Sequence, residues 1–281
     1  MVTRRKFGQI LGGAALAGAT AAVPLRSAWA QSNASSLARI KDSGKLRIAA
    51  VADGAPYYQK SLTGGPWRGF YIDICAALAQ DLGCELDITE TTWGNSVLDL
   101  QANKIDVFFG LNPTPQRQKV IDFSVPVFNN AFALVAKHGI TAQSWQEFNN
   151  DKMRIAVDAG SSHDAVVTRH LPNAQITRLK AQSDATAALQ AGRADAQCLI
   201  LIIALTLVAK NPNIGKLIIP TPIDFATSNA GFRREADPSW QQFVNDWITA
   251  RRASGFVRDA IVKNMALVGV KESDFPPGLT L

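Results

Sequence analysis

Cysteine is scarce in this sequence, with Cys75, Cys84 and Cys198 the three among 281 residues. That is too few for a disulfide framework, even in an oxidising compartment. A Cys75–Cys84 bridge and buried free thiols both stay open. Histidine is equally sparse: His138, His163 and His170 form no HxxxH pattern, and no CxxC pair occurs. No metal and no cofactor are therefore expected. Beyond the first thirty residues the longest apolar run is Cys198 to Ala209, 12 residues that include Thr206. A membrane-spanning helix needs about 20, so the remainder reads as soluble. A strong charge excess is missing too. The formal net charge is +6, but Arg4, Arg5, Lys6 and Arg26 lie in the first thirty residues, where no acid stands. The rest holds 25 basic side chains against 23 acidic ones, a balance of +2. Its basic pairs, Arg233-Arg234 and Arg251-Arg252, read as solvated faces, so no nucleic-acid partner is expected.

The N-terminus carries the most specific local signal. Thr3-Arg4-Arg5-Lys6-Phe7 precedes a charge-free stretch from Gly8 to Leu25, and Ala28-Trp29-Ala30 supplies small residues two apart. These are the parts of an export leader, residues 1–30, with cleavage after Ala30 and Gln31 as the first mature residue. Paired arginines before a Gly/Ala-rich stretch fit twin-arginine export, and an ordinary Sec leader remains the alternative. Either route delivers the protein to the periplasm.

The rest alternates strands and helices. Leu46 to Val51 reads as a buried strand, and Tyr71, Ile74, Cys75, Leu78 and Leu82 recur at helical spacing before Gly83. Leu86 and Ile88 alternate with Glu85, Asp87 and Thr89 as on a half-exposed strand. A short helix through Val97 and Leu100 leads to a strand at Ile105 to Phe109. Such alternation predicts α/β layers with mostly parallel sheets. An internal echo sharpens this: Leu100-Gln101-Ala102-Asn103-Lys104-Ile105-Asp106-Val107 matches Leu189-Gln190-Ala191-Gly192-Arg193-Ala194-Asp195-Ala196 at four positions. Upstream stand Arg47-Ile48-Ala49 and Arg154-Ile155-Ala156. In each copy a helix should end at Asn or Gly in a left-handed turn, and a strand should begin with one Asp. Two similar α/β lobes follow. Near the C-terminus, Asp237 and Pro238 start a helix whose Trp240, Phe243, Val244, Trp247 and Ile248 form one apolar stripe. With no third strand-helix-strand unit, this tail is expected to return to the first lobe. The expected segments are 38–130 for the first part of lobe 1, 131–225 for lobe 2 and 226–281 for the return. The chain should cross near Asn130–Ala136 and Ile223–Ala230, a two-strand hinge beside an interlobe cleft.

From Leu46 to Lys263 the chain resembles the family 3 solute-binding proteins of ABC transporters, the polar amino-acid receptors. The resemblance rests on Gly44-Lys45-Leu46-Arg47-Ile48, Ala55-Pro56-Tyr57, Gly69-Phe70-Tyr71-Ile72-Asp73-Ile74 and Lys104-Ile105-Asp106-Val107. Thr114-Pro115-Gln116-Arg117 and Asp122-Phe123-Ser124-Val125-Pro126 complete it. Each motif is weak by itself; their order and spacing are specific. The resemblance implies the two-lobed type II periplasmic-binding-protein fold, a monomer, a membrane permease as partner and no catalysis.

It also implies a site. Arg117 takes the place of the arginine that clamps a ligand carboxylate, and a planar guanidinium suits that task. Asn112 stands where the family has Ser or Thr, Gly110 lies just before it, and Thr114 braces the loop. Ser161 and Ser162 match the second-lobe Gly-Ser/Thr-Thr loop, where amide groups at a helix start favour anions; Ser161 with Asp164 also fits a reciprocal capping box. Tyr57 and Trp93 occupy aromatic positions against the ligand, with core packing the competing role for Trp93.

One departure bears on the ligand. In the family, an Asp four residues beyond Gly-Arg-x-Asp-Ala meets the ligand's α-ammonium. Here Gly192-Arg193-Ala194-Asp195-Ala196 leads to Ile200, and a second acidic position falls near Val51. Asp53 or Asp224 could compensate. The expected ligand is an amino acid or a related small carboxylate. A cyclohexadienyl-dehydratase-like enzyme of the same fold is a rival reading, through Asp224-Phe225-Ala226, but its acid is replaced by Ile200-Leu201-Ile202-Ile203-Ala204. A sensory receptor for a carboxylate is the third.

Overall fold

The computed structural model describes residues 35–60, 63–276 and 279–281; the expected leader and cleavage site lie outside them. The first elements are α1 (Ser36–Ser43), β1 (Lys45–Val51), α2 (Phe70–Leu82), β2 (Glu85–Thr91) and α3 (Ser96–Gln101). They are followed by β3 (Phe108–Leu111), α4 (Pro115–Gln118), β4 (Ile121–Phe123) and β5 (Phe128–Ala136). Then come α5 (Trp145–Phe148), β6 (Arg154–Asp158), α6 (Ser162–His170), β7 (Gln175–Leu179), α7 (Gln182–Gln190), β8 (Ala196–Ile200), α8 (Leu201–Lys210) and β9 (Lys216–Ile218). The chain returns through β10 (Phe225–Arg233), α9 (Ser239–Ala253) and α10 (Phe256–Ala266).

Two α/β layers result. In one, β1 and β2 run parallel in register from Lys45↔Glu85 to Val51↔Thr91, and Ile48 bridges Val107 in parallel. In the other, β6 pairs in parallel with both β7 and β8. The parallel expectation fails at β5 and β10. β10 pairs antiparallel with β3, β4 and β5, and β5 pairs antiparallel with β8 and β9. These two strands carry the chain from one layer to the other and back, so they must run in opposite directions.

The internal echo has a physical basis. Asp106 accepts hydrogen bonds from the Arg47 backbone amide at 2.8 Å and the Arg47 Nη2 at 2.6 Å. Asp195 accepts from the Arg154 amide at 3.1 Å and the Arg154 Nη2 at 2.6 Å. In each layer the first strand's arginine thus ties down the aspartate that opens the crossover strand. Asn103 (φ 54°) and Gly192 (φ 73°) occupy the left-handed turn before each aspartate, and Asn and Gly are the residues that adopt it at least strain. Arg39 adds a second cation on Asp106, and Lys137 on Asp195 at 3.1 Å.

The return segment packs on the first layer. Trp240, Val244, Trp247 and Ile248 form the buried stripe of α9. Trp240 Nε1 donates to the Asp106 carbonyl at 2.8 Å, and Lys263 and Asn264 of α10 reach Asp73 of α2 at 3.1 and 3.0 Å. The helix starts one residue later than expected: Pro238 is its cap, and Asp237 accepts from the Ser239 amide at 2.8 Å. All three cysteines are free, and burial pushes the Cys75 and Cys198 thiols well above their usual range.

Asp195 fixes an acid limit. Arg154, and then Lys137, hold Asp195 well below the usual carboxylate range. A carboxyl with a lowered folded pKa contributes stability above its unfolded value, near ~3.9, and loses it as pH falls toward the folded value. The melting temperature should therefore hold between about pH 7 and pH 5 and drop below about pH 4. Asp195→Asn should lower the neutral melting temperature and flatten the acid decline; an unchanged acid slope in thermal melts would count against this assignment.

Candidate functional site

The loop after β3 is built to present Arg117. Gly110 has φ 93°, and a Cβ there would stand 3.0 Å from Tyr71, 3.2 Å from Tyr57 and 3.3 Å from Trp93. Only glycine lets the strand end so close to three rings. Pro113 and Pro115 stiffen the next turn, and Thr114 caps α4 by accepting the Arg117 amide at 3.3 Å. The Arg117 side chain then folds back into the protein, 6% exposed.

Its guanidinium meets carbonyls only. Nη1 donates to Asn112 O at 3.3 Å; Nη2 donates to Trp93 O at 3.2 Å and Gly160 O at 3.4 Å. Among the described residues no carboxylate lies within ion-pair distance of it. Burial pulls its pKa down to about 10, opposed by the nearby Asp158 charge, so it stays cationic at neutral pH. An enclosed cation with neutral partners favours an anion strongly.

Arg117 shares a small cavity with Tyr57, Trp93, Gly110 and Asn112 on one wall. Ser162, His163, Ile200 and Ile203 form the other. The cavity has about 10 Å³ of room for the centre of a water molecule, so a ligand enters only if the walls part. Contacts between the walls hold this closed arrangement. Ser162 Oγ donates to Asn112 Oδ1 at 2.6 Å, and Gln182 Nε2 donates to Asp53 O at 3.0 Å. The Ser183 amide donates to the Asp53 carboxylate at 2.6 Å. A Cβ on Gly94 would fall 2.5 Å from the Ala159 carbonyl oxygen.

The aromatic wall combines core and site. Tyr57 packs edge-on against Phe70, Tyr71 and Trp93 at centroid distances of 4.8, 5.2 and 5.6 Å. Trp93 also packs edge-on against Phe108 at 5.7 Å, yet its buried Nε1 has no hydrogen-bond partner among the described residues.

Seven of the eight residues singled out from sequence line this cavity: Tyr57, Trp93, Gly110, Asn112, Arg117, Ser162 and Ile200. Ser161 does not; its hydroxyl caps α6 by accepting the Asp164 amide at 3.1 Å. The cap is not the reciprocal box, because Asp164 Oδ2 accepts from the Gly160 amide instead. His163 was missed. Its Nδ1 lies 2.9 Å from Asp158 Oδ1, with both side chains buried. Burial alone would raise the Asp158 carboxyl, but the His163 imidazole, its own amide and the Ser161 hydroxyl outweigh it and hold it low. The only sequence clue was an aspartate ending a strand five residues before a histidine opening a helix.

A larger groove of about 790 Å³ lies nearby, bordered by Pro113, Gln116, Phe132 and Phe225. Its charges are already matched: Asp224 pairs with Arg169 and with His170 Nε2 at 2.8 Å. It offers no unpaired charge to a ligand, and the smaller cavity does.

The chain is similar to several known proteins. The chain is 25% identical over 237 residues to the cyclohexadienyl dehydratase of Pseudomonas aeruginosa, covering 83% of this chain and 87% of that protein. It is 29% identical over 170 residues to the glutamine-binding protein of a Bacillus subtilis ABC transporter, covering 59% and 62%. The crystal structure of an ancestral amino acid-binding protein, a precursor of cyclohexadienyl dehydratase, matches with a TM-score of 0.74 at 28% identity, covering 82% of this chain and 99% of that one. The profile of the bacterial extracellular solute-binding proteins, family 3, matches residues 46–264, and the chain belongs to that family.

Proposed function

We propose that this protein is a periplasmic receptor that closes over an amino acid or related small carboxylate and delivers it to the membrane permease of an ABC importer. The observation that carries this is Arg117: one buried guanidinium, hydrogen-bonded to carbonyls alone, where two α/β walls meet. A carboxylate supplies the missing counter-charge through two parallel hydrogen bonds. On this reading residues 38–130 and 226–281 form one lobe and residues 131–225 the other. β5 and β10 are then the hinge, the first thirty residues direct export with cleavage after Ala30, and the protein acts as a monomer.

Similarity to a dehydratase favours a second reading, catalysis in the same cleft. Loss of water needs an acid positioned at the leaving hydroxyl. Across Ile200 to Ile203 the cavity wall carries none, and the nearby acid, Asp158, is held by His163. Transport binding therefore accounts for the site with fewer additions. The test is to saturate the protein with a bound carboxylate, follow the radius of gyration by small-angle scattering, and recover the ligand by denaturation. Contraction with stoichiometric, chemically unchanged ligand supports a receptor; multiple turnover to a dehydrated product would replace it with the enzyme reading.

A further inference from the structure

The charges and unpartnered polar groups around the cavity define the ligand more narrowly than its family does. A zwitterionic amino acid brings an ammonium that needs a carboxylate beside it. Among the described residues no acidic side chain lines the cavity. The place of the expected acid is held by Ile200, 2% exposed at the end of β8. The two other candidate acids, Asp53 and Asp224, are engaged elsewhere. Asp53 accepts the Ser183 amide at 2.6 Å, and Asp224 is bound by Arg169 and His170. The third acid, Asp158, stands behind His163.

What remains without a partner is of the opposite kind. Trp93 Nε1, a pure donor, is buried and unbonded on a residue of the cavity wall. His163 bonds Asp158 through Nδ1, and since an ionised carboxylate can only accept, Nδ1 donates. Its Nε2 then has no protein partner among the described residues. An indole N–H cannot accept from an ammonium, whereas a ligand oxygen within its reach would accept from it. Beside His163 Nε2 a hydroxyl serves in either role, as acceptor or as donor.

We infer that the ligand is a carboxylate whose second carbon bears oxygen rather than an ammonium, a 2-oxo or 2-hydroxy acid, with an aliphatic group toward Ile200 and Ile203. This rests on Arg117 as the carboxylate clamp and narrows that reading. The Ile200 side chain does two things at once: it removes the ammonium's counter-ion and supplies apolar surface to the ligand's tail.

Calorimetric titration of the protein with matched sets tests it: pyruvate, L-lactate and L-alanine, then 2-oxoisovalerate, 2-hydroxyisovalerate and L-valine. An enclosed, unpaired ammonium should weaken the amino acid on the order of 100-fold or more against its oxygen counterpart. Equal or tighter binding of the amino acids overturns the inference and leaves the Arg117 clamp intact. No binding of any member at millimolar concentration overturns both. Ile200→Asp gives an independent readout. Ile200 caps α8 without a side-chain hydrogen bond, and Asp is a favoured residue there. The variant should shift preference toward the amino acids by at least about tenfold; an unchanged preference contradicts the role given to Ile200. Should it fail to fold, the comparison on the parent protein still decides.

Discussion

Arg117→Met is expected to abolish carboxylate binding while leaving the unliganded protein at least as stable as its parent. Removing one partner of a buried, hydrogen-bonded charge pair costs about 2–5 kcal/mol. At ~1.4 kcal/mol per tenfold, affinity should fall on the order of a thousandfold. Stability should move the other way because in the open, free protein the guanidinium meets the carbonyl oxygens of its own wall, at Asn112 and Trp93, with no counter-charge. Both keep other donors after the change: Trp93 O accepts the Ser96 hydroxyl at 2.9 Å, and Asn112 O accepts the Thr114 amide at 2.9 Å. The desolvation penalty of the guanidinium disappears, and the methionine chain fills similar space. Titration calorimetry and thermal melts of the same preparation read both signs. A large fall in melting temperature would mean that Arg117 is a structural brace; binding within tenfold of the parent would remove it from the site.

Gly94→Val should prevent the cleft from closing without disturbing either lobe. A Cβ on Gly94 would stand 2.5 Å from the Ala159 carbonyl oxygen, backbone on the opposite wall. Backbone cannot yield as a flexible side chain can. The approach exists in the closed arrangement, which Ser162, Gln182 and Ser183 also stabilise across the cleft. A variant held open loses affinity in proportion to the closed fraction it can reach. Affinity should therefore fall by at least about tenfold, with an unchanged melting temperature for the free protein and no ligand-driven contraction in scattering. Contraction and affinity equal to the parent's would show that Gly94 and Ala159 do not meet in the ligand-bound state.

These expectations show where sequence is informative. The two-layer plan was legible because it repeats: Arg47 with Asp106 and Arg154 with Asp195 solve one backbone problem twice, and short strings preserve that solution. Arg117 was named because its Thr114-Pro115-Gln116-Arg117 string resembles the family's; the structure adds how that string holds it, with prolines on both sides and Thr114 as the cap. The antiparallel courses of β5 and β10 were not, since alternation of apolar residues is blind to strand direction. Nor was the Asp158–His163 pair, which depends on the angle between a strand end and a helix start. Ser161 satisfied two patterns at once, a helix cap and a ligand loop, and only coordinates show its hydroxyl on the Asp164 amide. The fates of Asp53 and Asp224 were likewise invisible, because each finds its partner far along the chain. Sequence could name them as candidates for an ammonium; geometry removes them.

The measurement that bears most directly on the account is a crystal structure of the protein with a bound small carboxylate such as 2-oxoisovalerate. Both carboxylate oxygens should lie within hydrogen-bonding distance of the Arg117 guanidinium, inside the cavity closed by Ser162 and His163. A carboxylate seated instead in the larger groove beside Phe225, with Arg117 still on the carbonyls of Asn112 and Trp93, would contradict it.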